Sequence, residues 1–390
     1  MAQTWDVLVV GAGIVGTFHA YFAAQRGLRT LLVERDPAPR QATVRNFGIV
    51  GSGAIAPPGE WDLFARRTNE LYRQLAAASA EDLTIRSTGA LYVVETGLED
   101  QVIREFADRA PGLGKRAQYL SAAEVLQAHP FVDPGYARGG LFFPDDLSVD
   151  PRRFIHLLLA QLCQRDALHF KPASCIVDIA ATAAGCVARA SDGTQHHCDR
   201  AIICSGTEYR LLFPGFFEES GLEICKIDLL RTRPQTQVKL PHPILSGLSV
   251  RRYPGFEVCP SHAALRATRI DPELDKWDIH LLFKQAEDGS VFVGDSHEYF
   301  SLGGPAAIGF DLHAAAHEAI LAYGKRMIHL DDWSTAQSWA GYVMRHPRQN
   351  VVAQQVAPGV HVALGIAGRG ITTAPGFAEA NMARILESGK

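Results

Sequence analysis

Residues 5–27, WDVLVVGAGIVGTFHAYFAAQRG, constrain the fold more than any other stretch. Val7 to Val10 form a short apolar run of the kind buried in a parallel sheet. Gly11, Gly13 and Gly16 follow in the spacing G-x-G-x-x-G. Gly11 permits a tight turn, Gly13 lets a pyrophosphate approach the backbone, and Gly16 lets the next helix pack on the strand. The helix is expected over about Ile14 to Gln25, opening with Ile14 and Val15 and stopping at Gly27. The next strand, RTLLVE, ends in Glu34, 18 residues beyond Gly16, followed by Arg35. That spacing suits an acid that binds an adenosine ribose. A bare glycine motif is weak, and an ordinary βαβ turn is its competing explanation. With strand, helix, second strand and terminal acid together, the motif is strong.

This unit alone does not choose between NAD and FAD. An NAD-dependent chain normally continues through regular βαβ repeats, whereas here residues 37–59 form a long proline- and glycine-rich loop. Loops of that length inside a compact domain are usually functional. A second glycine-rich strand–turn–helix lies at 359–386, with its turn from Gly365 to Gly370.

A chain of 390 residues exceeds one typical core, so two domains are expected. The net charge of −4 argues against a nucleic-acid binder, which would carry a basic excess. No apolar run approaches the ~18 residues of a membrane span. The first apolar stretch has no basic segment before it and enters the glycine turn directly, so a strand is expected there, not a signal peptide. Seven cysteines, none in a C-x-x-C pair, suggest reduced thiols and a cytoplasmic protein, with neither disulfides nor zinc.

Several segments together resemble the D-amino-acid oxidase superfamily, which includes glycine oxidase, sarcosine oxidase and D-amino-acid dehydrogenase. VRNFG supplies Arg45, Asn46, Phe47 and Gly48, similar to the family's N-x-G-like motif beside the flavin. LSVDPRRFIHLLLAQL (147–162) resembles the helix after a "vdP" entry. CDRAIICSGTEYR (198–210) resembles the strand returning to the cofactor, with Cys204, Ser205 and Gly206 at its turn. GIAGRGIT resembles the closing turn, placing Gly365, Gly368, Arg369, Gly370, Ile371 and Thr372 at FAD. VRNFG with GRGIT is similar to a narrower group of flavin oxidases associated with aminophosphonate breakdown.

The resemblance implies an α/β fold, α+β overall: a Rossmann-like FAD-binding domain with an antiparallel-sheet substrate domain. The FAD-binding domain is expected to be discontinuous, over 1–85, 147–222 and 335–390. The substrate domain takes 86–146 and 223–334. STGALYVVE (87–95) and ARGGLFFPDD (137–146) read as strands. So do four later segments, CKIDLLRTRP, VRRYPGFEVCP, WDIHLLFKQ and SVFVGDSHEYF. Helices are expected at about 98–110, at 121–130, where Ser121 and Glu124 form a capping-box signature, and at 309–327.

The resemblance further implies an FAD-dependent oxidase of small amines. An imine forms and water hydrolyses it, with O2 reduced to H2O2. The substrate would be a small zwitterion, either an aminophosphonate such as 2-aminoethylphosphonate or its N-alkyl derivative, or an amino acid. Alternatives are a quinone-linked D-amino-acid or N-methylglycine-type dehydrogenase, a tRNA-modifying flavoprotein relative, and a flavin protein without turnover. Noncovalent FAD is expected: no cysteine follows Cys259 and no histidine lies between Glu34 and His129, the places where relatives attach flavin. Thr372 stands where sarcosine oxidases place a lysine, which speaks against simple sarcosine chemistry.

The chemistry requires a grip on the substrate's acid group, and arginine forks suit carboxylate and phosphonate alike. Arg369, inside the second glycine turn, is the first candidate, with Arg45 and Arg345 after it; Arg251 and Arg252 read as a solvated pair. Asp295, His297 and Glu298 stand together just past a strand. His297 is a candidate for substrate contact, and no metal is expected because the cluster lacks a companion pattern. Tyr342 is a candidate to cap the substrate, with packing as its ordinary role. The oligomeric state stays open.

Overall fold

The protein is described from a computed structural model, over residues 4–302, 304 and 308–387. The domain bounds drawn from sequence also take in 1–3, 303, 305–307 and 388–390, which lie outside these. β1 (Thr4–Val10), α1 (Ile14–Gln25) and β2 (Thr30–Val33) form the unit expected from the glycine motif. β1 lies between β2 and Gln195–Ile203, parallel to both. Val360–Leu364 extends the parallel core on one side and Leu168–Lys171 on the other. An antiparallel strand, Val352–Ala357, closes one edge, and the arm Ile176–Thr182 with Gly185–Ala190 hangs on Gln195–Ile203.

The second sheet runs in the order Thr335–Arg345, Glu223–Thr232, Val291–Ser301, Leu282–Gln285, Ile244–Ser246, Ala90–Val94, Gly139–Phe143, Gln118–Ser121. Its pairs are antiparallel except one: Ile244–Ser246 runs parallel to Ala90–Val94. The buried apolar residues fall into four clusters that line the sheets.

Three sequence expectations change. Residues 335–345, grouped by sequence with the nucleotide-binding part, pair along their length with Glu223–Thr232 in the second sheet. VRRYPGFEVCP is not a strand: it forms the end of a helix, Gly247–Arg252, and a 3-10 turn, Pro254–Val258. Arg251 ties that helix down by donating to the carbonyls of Leu265, Arg266 and Thr268. The second sheet is mixed at one pair.

The C-terminal helix, Gly370–Glu387, packs on α1 and on α2 (Glu60–Ala78). It buries Phe377 and Met382 completely or nearly so, and each such side chain contributes about 1.5–3 kcal/mol. Pro375 lies inside this helix. Beside it, the Gly376 N–H donates to Thr68 Oγ1 at 3.1 Å. A β-carbon at Gly376 would lie 2.3 Å from the Phe64 carbonyl oxygen, so glycine sets how closely the two helices approach. This packing holds the second glycine turn against the first: a β-carbon at Gly370 would lie 3.2 Å from Ile14 Cγ2.

Candidate active site

The two glycine turns open into one cleft of about 1070 Å³ between the sheets. At its nucleotide end, Gly11 has φ +100°, and a β-carbon there would lie 2.5 Å from the Cys204 carbonyl oxygen. Gly16 sits behind the lining, where a β-carbon would fall 1.9 Å from the Gly11 carbonyl oxygen. Both positions require glycine for close backbone approach. Gly13, in extended conformation at the N-terminus of α1, offers no side-chain cap of its own, and the first turn has no acidic residue. The Ile14 N–H donates to Thr43 Oγ1 at 3.0 Å, so the long loop is anchored at the same place. Such a helix end favours an anion.

Glu34 is buried and accepts from the Ala12 N–H (2.9 Å) and the Asp36 N–H (3.1 Å), fixing it at the tip of β2. Arg35 pairs with Glu208 at 3.1 Å, joining β2 to the loop that carries Cys204, Ser205 and Gly206. Ser205 Oγ donates to the Glu208 carbonyl at 2.6 Å. Asn46 shapes the loop from within: its Nδ2 donates to the carbonyls of Ala42 and Thr43, and its Oδ1 accepts from Gly48 N–H at 2.6 Å. Phe47 is buried beside it. Lys284, buried and unmarked by any sequence motif, donates to the carbonyls of Phe47 and Val149. Burial lowers its ammonium to about 7. These residues fit FAD. The α1 N-terminus and glycine cradle would take its pyrophosphate, and Glu34 its ribose. The cleft continues past Gly48 to Gly365, Gly368, Gly370, Ile371 and Thr372.

The substrate-side candidates divide. Arg369 is half-buried, with its guanidinium 5.8 Å from the Trp61 ring centre, and among the described residues no carboxylate pairs with it. Burial first, then the like charge of Arg345, lowers it from its ordinary value. Arg345 lies over Tyr299 at 4.6 Å and reaches Glu223 only at 3.7 Å. Arg45 is differently engaged: it donates to the carbonyls of Arg40 (2.9 Å) and Ala340 (3.0 Å), bracing the loop on the second sheet. Tyr342 lines the cleft, but its hydroxyl donates to the Gly309 carbonyl at 2.9 Å.

Arg252 is not solvated as its sequence suggested. It pairs with Asp278 at 2.6 Å and donates to the Tyr299 hydroxyl at 2.9 Å. Burial disfavours its charge, but Asp278 and Tyr299 outweigh that and hold it above its ordinary value. Asp278 has φ +46°, a left-handed conformation that aspartate tolerates better than most residues. His297 donates from Nδ1 to the Asp278 carbonyl at 2.9 Å. Its Nε2 lies 3.7 Å from Asp295, and Asp295 lies 3.0 Å from His280 Nε2. The companion missing from the sequence cluster is therefore His280, in the loop just before the strand Leu282–Gln285. Glu298 turns away, to Lys226 and His313, both at 3.0 Å. Neither His280 nor Asp278 stood out in sequence: one reads as a histidine in an apolar run, the other as a turn acid.

A two-sheet fold of this kind, with a glycine-cradled cleft between the sheets, is that of an FAD-binding oxidoreductase. The family described as FAD dependent oxidoreductase, of D-amino-acid oxidase type, matches residues 6–383. The chain belongs to this family and is an FAD-dependent oxidoreductase. It is similar to glycine oxidase of Bacillus licheniformis, 26% identical over 220 residues, 55% of this chain and 57% of that protein. A D-amino-acid oxidase of Streptomyces coelicolor is 36% identical over 129 residues, 33% of this chain and 39% of that protein. The chain thus spans about half the length of these curated relatives. The crystal structure of glycine oxidase from Geobacillus kaustophilus superposes with a TM-score of 0.78 at 15% identity, covering 99% of this chain and 95% of that one. Among the described residues no helix is long and apolar enough to cross a membrane.

Proposed function

We propose that the protein oxidises the C–N bond of a small zwitterionic amine whose acid group is held by Arg369 and Arg345. The observation that carries this is the pair itself: two guanidiniums line one cleft, one without a carboxylate partner among the described residues and the other with only a distant one. Like charges held together in a partly dry site cost free energy until an anion arrives. A phosphonate, with nearly two charges and three acceptor oxygens, suits two guanidiniums better than a carboxylate does. 2-Aminoethylphosphonate or its N-alkyl derivative is therefore the favoured substrate class, and an amino acid is the alternative.

FAD, held by the glycine cradle of Gly11 and Gly13 and by Glu34, would supply the hydride acceptor for the carbon next to nitrogen and the route for its electrons to O2, giving H2O2. The remaining work falls to this chain. Arg369 and Arg345 hold one end of the substrate and so fix where its carbon can lie. Trp61 and Tyr299 carry those two guanidiniums on their ring faces. Arg252 and Asp278 lock the adjoining wall. Apolar side chains such as Leu229, Leu245 and Leu282 line the cleft and limit water near the reacting carbon. Water is needed only later, to split the imine into an aldehyde or oxo acid and an amine. We place the reaction in a reducing compartment such as the cytoplasm, in keeping with seven free cysteines.

A peroxide assay with glycine, sarcosine, D-alanine, 2-aminoethylphosphonate and its N-methyl form tests this. Peroxide without added acceptor, with kcat/KM highest for the phosphonates, is the expected result. Activity with carboxylates alone removes the phosphonate assignment, and turnover only with an added quinone makes the protein a dehydrogenase.

A further inference from the structure

Amine oxidation by hydride loss needs a neutral nitrogen, yet a zwitterion arrives with an ammonium. Within the reading proposed above, the cleft should hold a group that receives the proton. In the same cleft as the arginine pair, the strand Val291–Ser301 presents Asp295 and His297. A carbonyl only accepts, so the 2.9 Å contact with Asp278 requires the proton of His297 on Nδ1. In the neutral imidazole, Nε2 is then a bare lone pair. It faces the Asp295 carboxylate across 3.7 Å. Two acceptors confront each other with no donor between them. The other carboxylate oxygen of Asp295, though 3.0 Å from His280 Nε2, has no aligned hydrogen-bond partner, and Asp295 is 7% exposed. A buried carboxylate left this way is costly unless a donor or cation joins it.

We propose that Asp295, with His297 beside it, seats the substrate's ammonium group and takes its proton. An ammonium supplies the several N–H donors that the two facing acceptors lack. The N–H bond breaks, an O–H bond forms on Asp295, and the electron pair stays on nitrogen as the amine lone pair. That lone pair is then free to form the C=N bond when carbon loses a hydride with its two electrons, the oxidation that bound FAD would supply. The proton then passes to water as the imine is hydrolysed. The cleft thus presents cations for the acid group and a carboxylate for the amine.

The neighbours agree with this assignment. Burial raises the Asp295 carboxyl above its ordinary value, opposed by His297 and Arg252. Burial lowers His297 to about 4 and His280 well below its ordinary value, so both imidazoles are neutral at neutral pH. The remaining titratable groups facing the pair are Asp278, Arg252, Tyr253, Tyr299 and Cys225.

Two measurements on the holoenzyme test it. The first is binding after dithionite reduction, so that no turnover occurs, comparing 2-aminoethylphosphonate with ethylphosphonate by calorimetry. The wild type should prefer the ammonium-bearing ligand by ~10-fold or more, and Asp295→Asn should erase the preference while ethylphosphonate still binds. A preference that survives in Asp295→Asn overturns the assignment, whatever the oxidation assay shows. The second is the pH profile of kcat/KM. The wild type should be flat from about pH 6 to about pH 9, whereas Asp295→Asn should lose ~100-fold at neutral pH and rise with a slope of one. His297→Gln, with FAD content as the folding control, should shift the same profile in part. A wild-type slope of one would mean that free amine is drawn from solution, and the proposal fails. A stoichiometric divalent metal in the purified protein also overturns it, because His280, Asp295 and His297 have ligating atoms within 4.8 Å of one another.

Discussion

Arg369 lines the cleft from the second glycine turn, and the proposed grip on the substrate's acid group rests first on it. Its guanidinium makes no ion pair among the described residues, so its removal leaves no stranded carboxylate. Arg369→Ala should raise KM by ~30- to 150-fold, the loss of about 2–3 kcal/mol of charge-assisted contact. FAD content per chain should stay unchanged, as read from flavin absorbance. Loss of FAD instead would assign Arg369 to the cofactor. Arg45 should behave in the opposite way. Its donors close on backbone carbonyls of the loop and of the second sheet, so Arg45→Ala should loosen FAD and lower stability more than it changes KM.

The glycine turns show which elements a sequence discloses. G-x-G-x-x-G is a local pattern: Gly16 is demanded by the Gly11 carbonyl within the same unit, and Gly11 by the Cys204 carbonyl at the end of the adjacent strand. Gly16→Ala would drive a β-carbon into the Gly11 carbonyl oxygen at 1.9 Å. The variant should purify with little or no flavin absorbance while keeping near-native far-ultraviolet circular dichroism; full FAD occupancy would contradict the packing described. The capping box of Ser121 and Glu124 was legible for the same reason, since both partners lie within one helical turn. The segment 250–260 was not. Its Val250, Tyr253 and Val258 suit a strand, but the bonds of Arg251 to the carbonyls of 265–268 settle the conformation from outside. The wall made by Arg252, Asp278, His280 and Asp295 was illegible for a related reason. It is assembled by strand register and by a left-handed turn at Asp278, and no spacing rule links those positions. Arg345 was legible only through family resemblance, and its place beside Arg369 follows from the bridge between Arg345 and Ile366.

The two sheets meet at the cleft, so the ligand and the fold stabilise each other. Removing FAD should lower the melting temperature, because a ligand at ~100 times its Kd adds about 2.7 kcal/mol to the bound state. Acid should destabilise the molecule through its buried histidines. Burial lowers His19, His242 and His297 each to about 4 from 6.5. Between these values the unfolded chain binds protons that the folded chain refuses. Stability therefore falls as pH drops from about 6.5 toward about 4, and urea midpoints at several pH values should record proton uptake on unfolding across that window.

The most direct measurement is anaerobic mixing of the purified holoenzyme with single amines while the flavin absorbance is followed. Zwitterions bearing an acid group should bleach the flavin, 2-aminoethylphosphonate or its N-methyl form fastest, and a matched amine without the acid group should bleach it far more slowly. Bleaching that ignores the acid group, or none with any amine, would contradict a cleft built to hold an anion on Arg369 and Arg345.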